Sequence, residues 1–351
     1  MKRNPIQNTQ GINKRNDAPQ LLIYVHSDCL GDAMFKLPAI AGLRHLFPGF
    51  YITWLAGRAR SMYSSVLRPL VSGYLDEVHE CAGIGASWRE LLWPAPLAGR
   101  RFDIIIDTQT AIRPTLCLRR VRHGLFISAA ANYLFSDKRP ARSATKTISV
   151  QRQLLDLLSL ACGRQAEPVY NLECPGEYHA AARQLLPPGR PYGGLAPGAG
   201  GRHKCWPLLN YIALAREMNK LGLTTVFLLG PEERSWRDPI RKELPDALFP
   251  EQEAAVRKLP CGPLLTLALA QRLTVAVTND SGAGHVLAAA RRPLISLFGP
   301  TSPDRFAEAA EHRVIIRAQQ FGGPGLDNIT VGHVVAELRG LLDRNLQGQG
   351  A

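Results

Sequence analysis

Residues 275–285 read VAVTNDSGAGH: an apolar run, then Asn279-Asp280-Ser281-Gly282-Ala283-Gly284, then His285 at the head of an alanine-rich stretch. Small residues let a backbone approach a ligand closely, and the first N–H groups of a helix lack intrahelical partners. Ser281, Gly282 and Gly284 can therefore cradle a diphosphate, with His285 donating from the first turn. A plain strand-to-helix turn capped by Asp280 or Ser281 looks the same in sequence, so both readings stand for this segment.

Three further segments carry groups suited to chemistry. LAPGAGGRHKCWP at 195–207 places Arg202, His203 and Lys204 on a glycine-rich loop, where cations can neutralise the charge building on a departing phosphate. The bland alternative is an exposed basic loop anchored by Trp206. LLGPEERSW at 228–236 presents Glu232 and Glu233 after a strand, where a carboxylate can accept from ribose hydroxyls or simply complement a helix dipole. HSDCLGDAMFKLPAI at 26–40 follows LLIYV and holds Asp28 and Asp32, four apart. Asp32 beside Gly31 is either a first-turn cap or a general base. Pro38 is expected to bend the helix that starts there. No loop matches GxGxxG or GxxxxGK[ST].

The elements that must position these groups alternate. Strands are expected at 21–25, 50–55, 74–80, 102–107 and 124–128, with helices near 32–46, 58–68, 87–93 and 147–162. After the Pro- and Gly-rich stretch 174–191 the alternation restarts. Strands at 192–196, 224–229, 273–277 and 293–298 are interleaved with helices at 207–221, 233–243, 262–271 and 284–291, and a last helix spans 331–344. Such a pattern predicts α/β architecture with two doubly wound parallel sheets. The expected domains are 20–186 and 187–351, preceded by a mobile tail, 1–19.

Bulk properties narrow the class. At 46% hydrophobic and 20% charged residues, the 351-residue chain reads as a soluble globular protein. It has no membrane-spanning run and no signal-peptide core near its basic N-terminus. Seven scattered cysteines without CxxC or His/Cys clustering predict a reduced, cytoplasmic protein without structural zinc. The formal charge of +13 is uneven: Arg100 to Arg152 holds eleven Lys/Arg against three acids. A block of that kind attracts polyanions, or is only a solvated face. Nucleic acid is the weaker reading, because aromatic interleaving and known DNA-binding signatures are missing.

Together, SDCLGDAMFKLPAIAGLRHLFPG, LAPGAGGRHKCWP, LLGPEE and TNDSGAGHVLAAARRPLISLFGPTSP resemble the bacterial heptosyltransferases of glycosyltransferase family 9, over nearly all of residues 20–340. The resemblance implies a GT-B fold, two Rossmann-like domains facing across a cleft. It implies transfer of heptose from ADP-heptose to the lipopolysaccharide inner core, with inversion, on the cytoplasmic side of the inner membrane. Leu30-Gly31-Asp32 matches the family's LGD, whose aspartate is the proposed general base. Lys204-Cys205-Trp206-Pro207 matches its K-x-W-P, whose lysine contacts the donor phosphates. Asn279 to His285 matches its donor loop, making Asp280, Ser281, Gly282 and His285 donor-site residues, with Glu232 or Glu233 as the acid.

The chain departs from the family at Ser27-Asp28-Cys29, where many relatives carry Ser-Ser or Thr-Ser. It departs again at FGGPGLDNIT, where several have a cysteine. With no DxD triplet, Lys204 and the 280–285 helix start are expected to serve the leaving group instead of a metal. Asp28, Arg113, Arg119, Arg120 and Arg122 are expected at the acceptor, a phosphorylated core saccharide, with the basic stretch holding the anionic membrane surface. Rival readings are another GT-B enzyme using UDP or GDP sugars, an epimerase, or a non-catalytic glycan-binding relative.

Overall fold

The computed structural model describes residues 17–97, 99–141, 149–170, 172–306 and 312–348. Residues 1–16 of the expected tail, and Arg142 in the basic stretch, lie outside the described residues. Packing divides the chain into two units, Met1–Cys29 with Lys36–Leu172, and Leu30–Phe35 with Glu173–Ala351.

In the first unit, strands β1 (Gln20–Val25), β2 (Tyr51–Ala56), β3 (Glu77–His79), β4 (Arg101–Asp107) and β5 (Arg122–Ser128) form a parallel sheet in the order β3-β2-β1-β4-β5. Leu22 lies opposite Thr53 on one side and Ile105 on the other. Continuous apolar runs such as LLIYV suit this position, since a parallel sheet is covered on both faces. Leu21, Leu22, Ile23 and Val25 are fully buried.

The helix expected at 147–162 is Val150–Cys162, opened by Ser149, which accepts from Arg152 N, and closed by Gly163 at φ 75°. The helix from 32 forms as Leu30–Ala41 and continues through Pro38, whose carbonyl accepts from Val169 N at 2.8 Å, and a separate turn Leu43–Leu46 follows. Helices expected at 58–68 and 87–93 shrink to single turns, Met62–Ser64, Arg68–Val71 and Trp88–Leu92. Pro69 and Pro94 stand immediately after the two stretches, where neither lets a helix run on. Helix Ile112–Arg119 was not anticipated; its residues IRPTLCLR show little amphipathic contrast.

In the second unit, β6 (Tyr192–Ala196), β7 (Thr224–Phe227), β8 (Val275–Asn279), β9 (Leu294–Phe298) and β10 (Arg313–Arg317) form a parallel sheet in the order β10-β9-β8-β6-β7. Helices Leu208–Lys220, Pro263–Ala270, Gly282–Ala289 and Val331–Gly348 accompany it. The core gathers Leu195, Tyr211, Phe227, Val277, Leu297 and Leu338. Elements that the sequence reading missed include β10, whose VII core is flanked by arginines, and helix Pro250–Val256. Helix Gly176–Leu185 packs on Pro263–Ala270 and Pro250–Val256, so the division falls at Leu172/Glu173, ahead of the expected 186/187.

Candidate functional site

In the second unit's sheet the chain winds outward from β6 in both directions, to β7 and to β8. Loops leaving the carboxyl ends of β6 and β8 therefore diverge and open a crevice, the usual ligand position in an open α/β sheet. The segments 197–206 and 280–285 are those two loops.

Asn279, the last residue of β8, latches them together. Its Nδ2 donates to Pro197 O at 2.7 Å, while its Oδ1 accepts from Trp206 N at 3.1 Å and Tyr211 Oη at 3.0 Å. Trp206 is buried and donates from Nε1 to Ile329 O at 2.8 Å. Burial also pushes the Tyr211 phenol well above its ordinary range, so it stays a donor to Asn279. The basic turn Arg202–Lys204 is thus carried on a loop pinned next to its end. The Lys204 side chain is half-buried and has no ion-pair partner among the described residues.

Ser281 caps helix Gly282–Ala289, its Oγ accepting from Gly284 N at 3.1 Å. Capping by Ser281 leaves the N–H groups of Gly282 and Ala283 outside that bond. Asp280 accepts from Thr301 Oγ1 at 2.5 Å, and its own N–H is held by Leu297 O. Gly284 is required for packing: a Cβ there would fall 2.7 Å from Asn279 O.

His285 stands one turn into the helix. Desolvation holds its imidazole below the ordinary histidine value, opposed by the charges of Asp280 and Asp32 and reinforced by Arg313. It is therefore neutral near pH 7, with one ring nitrogen a donor and the other an acceptor. Residues 30–35 belong to this unit, and His285 meets them: its ring packs edge-on to Phe35, centroids 5.9 Å apart. A Cβ on Gly31 would come within 2.9 Å of His285 Cδ2.

Asp32, half-exposed, lies in the first turn of its helix, where a carboxylate complements the dipole. The N-cap is Cys29, whose side chain makes no capping bond. Asp32 is therefore neither sealed in hydrocarbon nor the N-cap residue.

Of the two adjacent glutamates, Glu232 is exposed and Glu233 half-buried. The Glu233 carboxyl fills the space a Cβ would need at Gly198 (2.5 Å) and at Gly230 (2.8 Å), so it stands among the loops after β6 and β7. Burial, and then Glu232, raise its pKa. Close by, Glu251 accepts from Thr266 Oγ1 and is pushed up to about 7, chiefly by burial, with Glu233 adding to the shift. Sequence reading missed Asn279's latch and Glu251, because both depend on partners far along the chain.

The expected acceptor group in the first unit fares differently. Asp28 is buried, with its oxygens engaged by Lys36 Nζ at 2.6 Å, Trp54 Nε1 at 2.8 Å and Ser61 Oγ at 2.9 Å. It forms a structural ion pair there, its oxygens spent on partners within the fold, where the sequence expectation put it at the acceptor. Arg113 donates to Gly85 O at 2.6 Å. Arg119 pairs with Asp137 at 2.8 Å, and its guanidinium lies over the Phe126 ring. Arg120 ties Glu90 O at 2.6 Å and Trp93 O. These three arginines serve as tethers; Arg122 is exposed.

A sequence profile of glycosyltransferase family 9 (heptosyltransferase) matches residues 95–328. Lipooligosaccharide heptosyltransferase 2 of Haemophilus influenzae is 35% identical over 129 residues, 36% of this chain and 37% of that protein. The match thus spans little more than a third of that relative's length. Lipopolysaccharide core heptosyltransferase OpsX of the same organism is 22% identical over 304 residues, 83% of this chain and 82% of that one. The solved E. coli heptosyltransferase WaaC with ADP-2-deoxy-2-fluoro heptose has a TM-score of 0.63 and 17% identity, covering 91% of this chain and 99% of that one. With two parallel five-stranded α/β units and a family profile across two thirds of its length, the chain belongs to glycosyltransferase family 9 and has the GT-B fold.

Proposed function

We propose that the chain transfers a heptose from ADP-heptose to a hydroxyl of the phosphorylated lipopolysaccharide inner core, inverting the anomeric carbon. One observation carries this reading: Asp32, through Gly31 packed on His285, shares a unit with the donor-type loop 280–285. The relatives' names, and the ADP-heptose analogue held by the solved relative, support the choice of sugar and nucleotide.

Asp32 accepts the proton of the acceptor hydroxyl as its oxygen attacks the anomeric carbon. The bond from that carbon to the diphosphate oxygen breaks, and ADP leaves with the electron pair. General-base help of this kind contributes about 10²–10⁴-fold. Charge gathering on the diphosphate is met by Lys204, the free N–H groups at the start of helix Gly282–Ala289, and His285 as a neutral donor. These groups do so without a divalent ion. Asp280 and Ser281 hold that helix start in place. Glu233 is the acid for the donor ribose, since it stands among the loops while Glu232 is exposed.

The acceptor is lipid-linked, so the enzyme works as a peripheral protein on the inner face of the inner membrane, drawn there by its basic first unit. No described helix is long and apolar enough to cross a membrane. The test is incubation with ADP-heptose and deacylated, truncated lipopolysaccharide, with UDP- and GDP-sugars as controls. Expected are free ADP and an acceptor heavier by one heptose, with turnover lost in Asp32→Ala. Equal turnover by that variant removes Asp32 from its role; transfer from UDP- or GDP-sugars alone removes the donor.

A further inference from the structure

Most exposed large apolar side chains of the described residues stand alone, as on any soluble surface. Three do not. Trp88, Leu92 and Trp93, exposed by 55, 86 and 66%, fall within one short turn of the first unit. The turn is firmly built. Glu90 accepts from Ser87 N and Gly85 N, both at 2.8 Å, closing a capping box. Arg120 clamps the turn's carbonyls, and Leu91 packs inward on the cluster of Phe102, Ile105 and Leu118. Leu91 is the inward anchor, and the neighbouring Trp88, Leu92 and Trp93 are held in water by a rigid backbone.

Cations lie beside them. Arg89 is exposed within the turn. Two residues beyond Arg120, Arg122 opens β5 directly opposite Arg101 at the start of β4, and both are exposed. None of these three pairs with a carboxylate among the described residues. Like charges on adjacent strands repel, a cost that an anion resting on both removes. Glu90, the turn's own acid, is occupied with capping. A soluble phosphate would use the arginines and leave Leu92 and the tryptophans in water. An interface with apolar depth below a layer of anions uses all of them, and tryptophan favours that boundary.

We propose that this face docks on an anionic phospholipid bilayer, with Trp88, Leu92 and Trp93 entering the interface and Arg89, Arg101 and Arg122 meeting headgroup phosphates. The inference deepens the proposed function, resting on it only for a lipid-linked acceptor. Its test reads binding without turnover, so either can fail alone.

Full-length protein is sedimented with phosphatidylethanolamine/phosphatidylglycerol vesicles and with phosphatidylcholine vesicles, at low and high salt. Tryptophan quenching by brominated acyl chains is read in parallel. Binding to the anionic vesicles is expected, weakened by salt, with quenching of the exposed indoles; Trp54 and Trp206 are buried. The triple variant Trp88→Ser/Leu92→Ser/Trp93→Ser is expected to bind at least about tenfold more weakly. Each single tryptophan variant, a guard against misfolding of the triple, is expected to lose part of the quenching. Activity on deacylated acceptor should be unchanged in all of them. Wild-type binding without quenching, or undiminished binding by the triple variant, overturns the proposal. So does a protein dimer that dissociates in the triple variant while vesicle binding persists.

Discussion

The imidazole of His285 rests on Gly31, so near that a Cβ at position 31 would lie 2.9 Å from Cδ2. Any side chain there must push the ring away, and with it the neighbour of Asp32. Gly31→Ala is therefore expected to cut kcat/KM sharply, since a misplacement of about 1 Å costs on the order of 10²-fold. Stability should fall by no more than about 1–3 kcal/mol, the usual cost of overpacking, offset in part because alanine is the better helix former. Steady-state kinetics and a thermal melt on the same preparation decide it; wild-type kinetics would mean the packing is dispensable.

Asp28 and Asp32 look alike in sequence, yet only Asp28 is locked to Lys36, Trp54 and Ser61. Asp28→Ala leaves the buried Lys36 ammonium without its counter-charge, holding only Ser27 O at 3.5 Å, and should destabilise by about 3–5 kcal/mol. Adding Lys36→Met removes the stranded charge and should recover most of that loss. Urea titration measures both. Activity per folded molecule is expected to persist in the double variant, whereas a collapse in acceptor KM would restore Asp28 to the acceptor site.

Those two aspartates mark where sequence reading stops. Strands β6 and β8 and the loops after them were legible, because apolar runs ending in small residues and a capping serine follow from local chemistry. What turned Asp28 inward was not local: Trp54 and Ser61 arrive from β2 and the loop beyond it. Arg119 and Arg120 read as free cations until Phe135 O, Glu90 O and Trp93 O came into reach. Asn279 likewise looked like part of a turn, and its latch appears only once Pro197 and Tyr211 are folded beside it. Short-range patterns reveal elements and glycine loops. Which polar side chain is spent inside the fold depends on partners brought together by the sheet order.

Asp107, fully buried at the carboxyl end of β4, makes stability depend on pH. It accepts from Thr115 Oγ1 at 2.5 Å, Gln109 N at 2.9 Å and Ser128 Oγ at 3.0 Å, yet burial prevails and raises its pKa from 3.8 to about 6. The folded chain thus holds this proton more tightly than the unfolded one. The associated stability is complete below about pH 4 and is lost as pH rises towards 6, a change of about 3 kcal/mol. Asp107→Asn should abolish that descent when urea-derived stabilities are compared from pH 4 to 8. Parallel curves for variant and wild type would show that the carboxyl titrates alike in both states.

Lys204 is the remaining group whose role can be isolated, because no carboxylate engages its ammonium among the described residues. If it neutralises the leaving diphosphate, Lys204→Met should lower kcat by about 10²–10³-fold, the usual cost of deleting one well-placed donor to developing charge. ADP should also bind more weakly, by calorimetry, while Tm changes little, because no ion pair of the described residues depends on this ammonium. Turnover of the wild type should continue after dialysis against EDTA. A chelator-sensitive wild type, with Lys204→Met retaining full kcat in the presence of magnesium, would transfer the charge-stabilising role from the loop to a metal ion.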